Sequence, residues 1–458
     1  MSGDSFDRYG GSIDVAFHDT GRFRTDTDEE GRHWLITPDG NRFFSHGVQC
    51  VTSVGGEIAS GDAPYEENVL RRHGTKATWR ENTLRLLQRA GLNTLGDWSQ
   101  IEFFASCLPY VTSVKLTPYA PEVPNGPAPF RGRARDFFDP GFEAGVRSEV
   151  AGLGAVVDDP FCIGVFLDDE LSWSAGPLMP LPYLDYYLHL PAMAPGKRAL
   201  QDFFAHRYDN VDAFNAVWAT NFAEFDEIQD LNPTEGTMQS VGRPWTGNPK
   251  QQADRAGFRC VVAERVLGIA SAAMRDLAPG VLNLGPRFLA GNLTPDVVAL
   301  AAEHVDVLSV NAFDVAPECV DLFKRFEWTG ALIPEPLFHD VRHIATAVDA
   351  PILLSSFTYR ASVDGLNDFP PATVFEVLPS QQMRAERYAT YMSEALTIPQ
   401  VVGAHWFQHH DQPAEGRFDG ENSNFGIVSI EDEPYEPMIA AMANVSRRIY
   451  GRHDEDEQ

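Results

Sequence analysis

Eight short apolar runs separated by stretches of helical periodicity constrain this chain more than any other feature. The runs are the stretch near 43–48, LNTLGDW (92–98), YVTSVKL (110–116), FCIGVFLDD (161–169), VLNLGPRF (281–288), VDVLSVNAF (305–313), PILLSSF (351–357) and VVGAHWF (401–407). Amphipathic segments at 79–90, 142–157, 197–218, 250–277 and 381–397 lie between them. Strand, helix and strand in alternation build a parallel sheet covered by helices. Eight such strands predict an α/β fold, a (β/α)8 TIM barrel whose site-building face is the C-terminal end of the strands. A barrel with insertions absorbs more than about 400 residues as one unit, so the 458 residues predict one domain.

Ahead of the first barrel strand, Trp34, Leu35 and Ile36, then Asp39-Gly40, then Phe43 and Phe44 predict a β-hairpin cap, because Asp-Gly suits the positive φ angles of a tight turn. Its second strand runs on through Gly47-Val48 into the barrel. Residues 1–30 are polar and read as an irregular N-terminal arm, 31–450 as the barrel, and 451–458 as an acidic tail. Long insertions near 171–250 and 365–382 follow strands, which places them on the C-terminal face as walls of a cleft.

Charge and cysteine usage narrow the partners. With 36 basic against 65 acidic residues the net charge is −29, and neutralising phosphates needs clustered Lys and Arg, so nucleic acid is not an expected partner. The acidity fits a surface kept hydrated in a salty cytoplasm, or a field that attracts cationic ligands. Cys50, Cys107, Cys162, Cys260 and Cys319 are widely spaced, which predicts neither structural zinc nor a disulfide framework. MSGDSFDRYGG has no apolar leader core, and no run reaches the ~18 apolar residues of a membrane span, so a cytoplasmic, non-membrane protein is expected. His405, His409, His410 and Asp411 invite a metal reading, yet no zinc motif accompanies them and no metal is expected. His405 is instead expected to hydrogen-bond within the cleft, under a loop shaped by GENSNFG (420–426). Glycine-rich phosphate loops are absent, so no cofactor is expected. The oligomeric state is open at this level.

The segment FLDDELSW carries the chemistry. Asp168, Asp169 and Glu170 follow an apolar strand, and glycoside hydrolysis needs two carboxyl groups flanking the scissile bond. The same triplet also suits a solvated strand terminus. Trp98, Trp173 and Trp406 stand at expected strand ends, either as sugar platforms or as core filler. Asn93, Asp97, Arg287 and Asn311 end strands too, reading sugar hydroxyls or satisfying turns.

The stretches DEEGRHWLITPDGNRFFSHGV, LLQRAGLNTLGDWS, DDPFCIGVFLDDELSW, PILLSSFTYRASVDGLN and VVGAHWFQHHDQPAEGRFDGENSNFGIVSIEDEPYEPM add weight to the catalytic alternative. In their order they resemble agarase-like glycoside hydrolases of clan A, near glycoside hydrolase family 50, over nearly the whole chain. The resemblance implies a β-linked, galactose-like sugar or oligosaccharide as substrate and Glu170 as general acid/base. The family's strand-four motif reads like FLDNELSW, so Asp169 stands where Asn is usual. Its strand-seven motif reads like ISEFSYRA with a nucleophilic Glu, and here LLSSFTYRA puts Ser356 at that position. Phe313 stands where clan members carry a Tyr near the nucleophile. Ser356 is neutral and, without an adjacent base, a weak nucleophile, so ordinary double displacement is not expected. Asp169 either activates water or hydrogen-bonds a sugar hydroxyl. Natural divergence, loss of turnover with retained sugar binding, and an engineered Glu→Ser replacement in a retaining β-agarase or β-galactosidase all fit the altered motif; three departures together favour divergence.

Overall fold

The computed structural model describes residues 5–104, 106–124, 134–231, 238–289, 291–334 and 339–450. The expected acidic tail, 451–458, lies outside them. The N-terminal part forms an antiparallel sheet of β1 (Ser12–Ala16), β2 (Arg24–Thr27), β3 (His33–Ile36) and β4 (Asn41–Phe43) in the order β1-β4-β3-β2. The β3–β4 hairpin has the expected turn: Gly40 takes φ 83° and donates its N–H to Thr37 O at 2.9 Å. The arm expected to be irregular instead supplies β1 and β2. Its anchoring is polar and local, which hydrophobic periodicity cannot register. The Asp7 carboxylate accepts from the N–H groups of Tyr9 and Gly11 at 2.9 and 2.8 Å, and from Thr37 Oγ1 and Asn41 Nδ2 at 2.5 and 2.9 Å. Tyr9 then packs on Phe161, ring centroids 4.7 Å apart, just before a barrel strand. That contact ties the segment ahead of β1 to the start of a parallel strand.

The parallel sheet contains β5 (Ser45–Val48), β6 (Thr94–Leu95), β7 (Tyr110–Val114), β8 (Cys162–Leu167), β9 (Leu282–Asn283), β10 (Phe288–Leu289), β11 (Leu308–Asn311) and β12 (Ile352–Phe357). A short pair, β13 (Arg360–Ala361) and β14 (Val377–Leu378), precedes its last member, β15 (Val401–Trp406). Every residue of β8, β12 and β15 is buried, as befits strands covered on both faces, whose sequences run apolar without alternation. The order is β10-β11-β12-β15-β5-β6-β7-β8-β9. Its two edges, β9 and β10, are halves of one expected strand, interrupted where Gly285 and Arg287 take φ 69° and 48°. β9 pairs with β8 and β10 with β11, while Asp306 and Val307 donate to Asn283 O at 2.9 and 3.2 Å. The nine-strand sheet thus curls back to the segment it started from, the arrangement of a TIM-like barrel.

Helices cover it where periodicity placed them, at Lys76–Arg89, Pro140–Ala151, Pro249–Leu277 and Gln381–Ala395. The longest begins with a capping box in which Asn248 and Gln251 satisfy each other's backbone N–H, followed by Pro249, a strong start signal. The segment expected as one helix at 197–218 breaks into Pro195–Arg207 and Val211–Trp218, because Asn210 leaves the helix to accept from Ala213 N at 2.9 Å. Among the described residues no helix is long and apolar enough to cross a membrane.

Candidate active site

A cavity of about 810 Å³ opens at the C-terminal ends of the parallel strands. Every strand position around the sheet lends it a residue: Cys50 after β5, Trp98 after β6, Lys115 after β7, Asp169 and Glu170 after β8, Arg287 between β9 and β10, Phe313 after β11, Ser356 on β12, and Phe407 after β15. Such convergence is what a barrel mouth offers. The backbone is unusual here. Cys50, Trp98, Asp168, Glu170 and Arg287 all take positive φ, between 48° and 84°, a conformation that costs a non-glycine residue of order 1–3 kcal/mol and clusters at functional sites.

The FLDDELSW carboxylates divide their labour. Asp168 is buried and structural: its Oδ2 accepts from the N–H groups of Leu116 and Thr117 at 2.9 and 2.5 Å. Glu170 turns into the cavity, its N–H donating to Pro286 O and Arg287 O at 3.2 and 3.3 Å. Its Oε1 accepts from Asn311 Nδ2 at 2.9 Å, and Asn311 Oδ1 in turn accepts from Ser355 Oγ at 2.7 Å. Ser356, one residue on and paired in register with Asn311, lines the same cavity. Positions 170 and 356 therefore face one hollow. The Ser356 hydroxyl donates to Gln49 Oε1 at 3.3 Å, while Gln49 Nε2 donates to Ser355 O.

Asp169 belongs to a second, cationic cluster. Its carboxylate lies 3.4 Å from Arg287 Nη1 and 3.8 Å from Lys115 Nζ. Arg287 Nη1 also donates to Asp97 Oδ2 at 3.0 Å. Burial pushes the Asp97 carboxyl up, and Arg287 opposes that shift. The guanidinium lies 4.3 Å from the centre of the Trp98 ring, which is 42% exposed and edges Phe407 at 6.1 Å. An exposed indole held flat by a buried cation is a pre-set stacking surface. For the sugar substrate that the sequence resemblance implies, Trp98→Ala is expected to raise KM about tenfold, the equivalent of roughly 1.4 kcal/mol, with a smaller change in kcat. Steady-state kinetics check it, and an unchanged KM would assign Trp98 to packing alone.

Four expected binding residues lie elsewhere. Asn93 stands before β6, at the opposite end of the sheet, where its Oδ1 accepts from His46 N and its Nδ2 donates to Phe44 O at 2.9 and 3.0 Å. Trp173 is buried against Phe288 at 6.2 Å, and Trp406 is buried with its Nε1 donating to Phe425 O at 2.9 Å. Both are core filler. His405 is enclosed within the sheet, Nε2 lying 2.8 Å from Ser45 Oγ, and burial, helped by Arg287, brings its pKa down to about 3. None of the four lines the cavity. Among its described residues the 171–250 insertion supplies no lining residue either, whereas the 365–382 insertion gives Phe369 and Phe375.

The loop after β15 contributes what sequence reasoning missed. Gln408, His410, Gln412, Arg417 and Phe418 line the mouth. Arg417 forks onto Asp419 with two bonds of 2.9 Å, reaches Glu421 at 2.7 Å, and lies 5.4 Å from the Phe418 ring, which is 85% exposed. GENSNFG shapes this loop as expected. Asn424 Nδ2 donates to both Asp411 oxygens at 2.9 and 3.0 Å, and Asn422 Oδ1 accepts from Phe369 N at 2.9 Å, tying the loop to the second insertion. Two residues of the metal reading are engaged by other groups: His410 stacks on Tyr65 at 4.0 Å, and Asp411 also accepts from Tyr435 OH at 2.6 Å. Among the described residues no three His, Cys, Asp or Glu side chains form a metal-holding group.

Burial pushes the Asp411 carboxyl up to about 6, against the opposing pull of Arg384 and its donors. The folded chain then holds a proton on it where an unfolded chain, with an ordinary pKa near 3.9, does not. Its contribution to stability is therefore greatest at low pH and is lost as pH rises through about 6. Between pH 7 and 4.5 the chain should gain about 2 kcal/mol relative to Asp411→Asn, read as the difference between their urea unfolding free energies. No relative gain would contradict the burial of an ionisable group here.

No family model matches the chain. Its sequence is similar to two curated proteins of Vibrio sp. (strain JT0107): Beta-agarase A, 27% identical over 94% of this chain and 46% of the relative, and Beta-agarase B, 26% identical over 96% and 50%. The chain thus spans about half the length of these relatives. Its fold matches the crystal structure of the agarase AgWH50C (TM-score 0.79, 24% identity, 97% of this chain and 67% of that one). It also matches PfGH50B (0.79, 24%, 98% and 69%) and an exo-beta-agarase (0.80, 22%, 98% and 68%). The resemblance to agarase-like glycoside hydrolases near family 50, first carried by the motifs, holds along nearly the whole sequence.

Proposed function

We propose, from this agarase-like kinship, that the chain is a glycosidase acting on a β-linked galactose-based polysaccharide or oligosaccharide, with Glu170 as general acid and no carboxylate nucleophile. The nine-strand sheet is taken as a (β/α)8 barrel whose fifth strand is split, capped below by the hairpin sheet and walled above by the 365–382 insertion. One observation carries the reading: Glu170, held by Asn311, and Ser356 line the same aromatic-walled cavity at the mouth of that sheet.

In this reading protonated Glu170 gives its proton to the glycosidic oxygen as the bond to the anomeric carbon breaks. Trp98 supports a sugar face, and Asp169, fixed by Arg287, takes a hydroxyl where an amide is usual. A retaining enzyme would attack from the other face with a second carboxylate about 5 Å from the acid. Ser356 leaves that space to water, and direct displacement by water inverts the anomeric centre, the attacking water releasing a proton to bulk solvent, from which Glu170 is reprotonated. Turnover is slow because the transition-state charge has no anionic partner there.

The alternative, a sugar-binding protein that kept the cleft and lost turnover, is favoured by the remaining lining carboxylates. Asp419 and Glu421 are paired to Arg417 and Asp169 to Arg287. Proton NMR of the first product released from an aryl β-galactoside and from agaro-oligosaccharides separates the readings. The α-anomer is expected. A β-anomer would overturn direct displacement, and binding without release across the panel would establish the alternative.

A further inference from the structure

We infer that a small cleft behind the Glu170-bearing segment binds a monatomic anion, chloride in ordinary salt. The cleft, about 20 Å³, lies between Trp173–Ala175 and the helix Pro249–Leu277, and is separate from the sugar cavity. It has room for about one water-sized particle, too little for phosphate or sulfate.

Its lining is unusual in what it leaves unmet. Trp173 Nε1, Arg255 Nη1, Arg259 Nε and Ser174 Oγ are buried and have no hydrogen-bond partner. The four residues are between 1% and 8% exposed. Leaving such a group unpaired costs about 1–3 kcal/mol, more for a charged one, so four together call for an occupant. The carboxylates that balance the two arginines are already engaged on other nitrogens. Asp185 takes Arg255 Nε and Nη2 at 2.7 and 3.0 Å, and Asp296 takes Arg259 Nη2 at 2.6 Å, while Arg259 Nη1 donates to Thr329 O at 3.2 Å. The nitrogens left over can only donate.

That fact discriminates between occupants. Water accepts two hydrogen bonds and brings two hydrogens of its own, whereas three of the four unmet atoms, Trp173 Nε1, Arg255 Nη1 and Arg259 Nε, can only donate. A halide accepts from all directions and brings none. It would lie against two guanidinium groups held one helical turn apart, at 255 and 259, on the buried stripe of one helix, each also paired to one carboxylate. The site adjoins the chain that positions Glu170: Trp173 N donates to Asn292 O at 3.2 Å, and Asn292 Nδ2 donates to Ser172 Oγ at 3.1 Å. A bound anion would brace that segment without touching substrate.

The test uses the full chain and bromide as the probe. Crystals grown in sodium bromide should show an anomalous peak within hydrogen-bonding reach of Trp173 Nε1 and Arg259 Nε. In solution Tm should rise by about 2 °C as chloride replaces gluconate from 5 to 500 mM at fixed ionic strength. Trp173→Phe, which keeps an aromatic ring of smaller size and removes the donor, should lose most of that rise. Ser174→Ala serves the same purpose should the first variant fold poorly. No bromide peak, an equal response to chloride and gluconate, or a full chloride response in the folded variants would overturn the assignment. Because none of these readouts involves sugar, failure here is distinguishable from failure of the glycosidase reading.

Discussion

Glu170→Gln should lower kcat/KM on an oligosaccharide about 10³-fold while leaving an activated aryl glycoside far less affected. The glutamine keeps the size and the contact with the Asn311 amide seen at 2.9 Å but has no proton to give. General acid catalysis contributes about 10²–10⁴-fold when the leaving group needs protonation. A dinitrophenolate leaves without it. The two substrates should therefore separate, and the limb of the pH–rate profile due to the acid should vanish for the oligosaccharide. An equal loss on both would point to disturbed binding and remove Glu170 from the acid's role.

The second large effect is a gain. Ser356→Glu places a carboxylate in the hollow that Glu170 faces, on a strand whose neighbours Asn311 and Gln49 already hold position 356 in place. Gln49 Nε2, close to Ser355 O, is near enough to the new side chain to become its donor after a small rotation. An anionic partner for the transition state is worth about 10²–10³-fold, the scale of one well-placed electrostatic group. The variant should turn over an aryl β-galactoside faster by that factor and release the β-anomer in place of the α. Introducing a charge into a buried site costs stability, so a Tm measurement accompanies the rate. A folded variant with no gain in rate would exclude position 356 as the seat of a lost nucleophile.

The fold was legible because its signal is repetitive. Strands buried on both faces have no choice but to run apolar, and β8, β12 and β15 stand within a residue or two of where their runs predicted them. The split of the fifth strand was not legible, since Arg287 in a left-handed conformation carries no sequence warning beyond the nearby Gly285. For the site, the distinction that failed was between the two ends of a strand. Asn93 and Asp97 are four residues apart on one run, yet β6 spans only Thr94–Leu95, so the first falls at the closed end and the second at the mouth. Trp173 and Trp406 were equally ambiguous, because an indole serves a core and a sugar platform alike. Gln49 escaped notice for another reason: its partner at the site, Ser356, lies hundreds of residues away. Only the closing of the sheet brings them together.

The left-handed residues ringing the mouth carry an implication for engineering. Glycine would relax the peptide at Cys50, Trp98 or Glu170, so a laboratory selection for heat resistance alone has an incentive to strip those side chains away. Every such gain in durability would be taken from the rim of the cavity, and in the proposed glycosidase reading the thermal survivors of that selection would be the poorest catalysts.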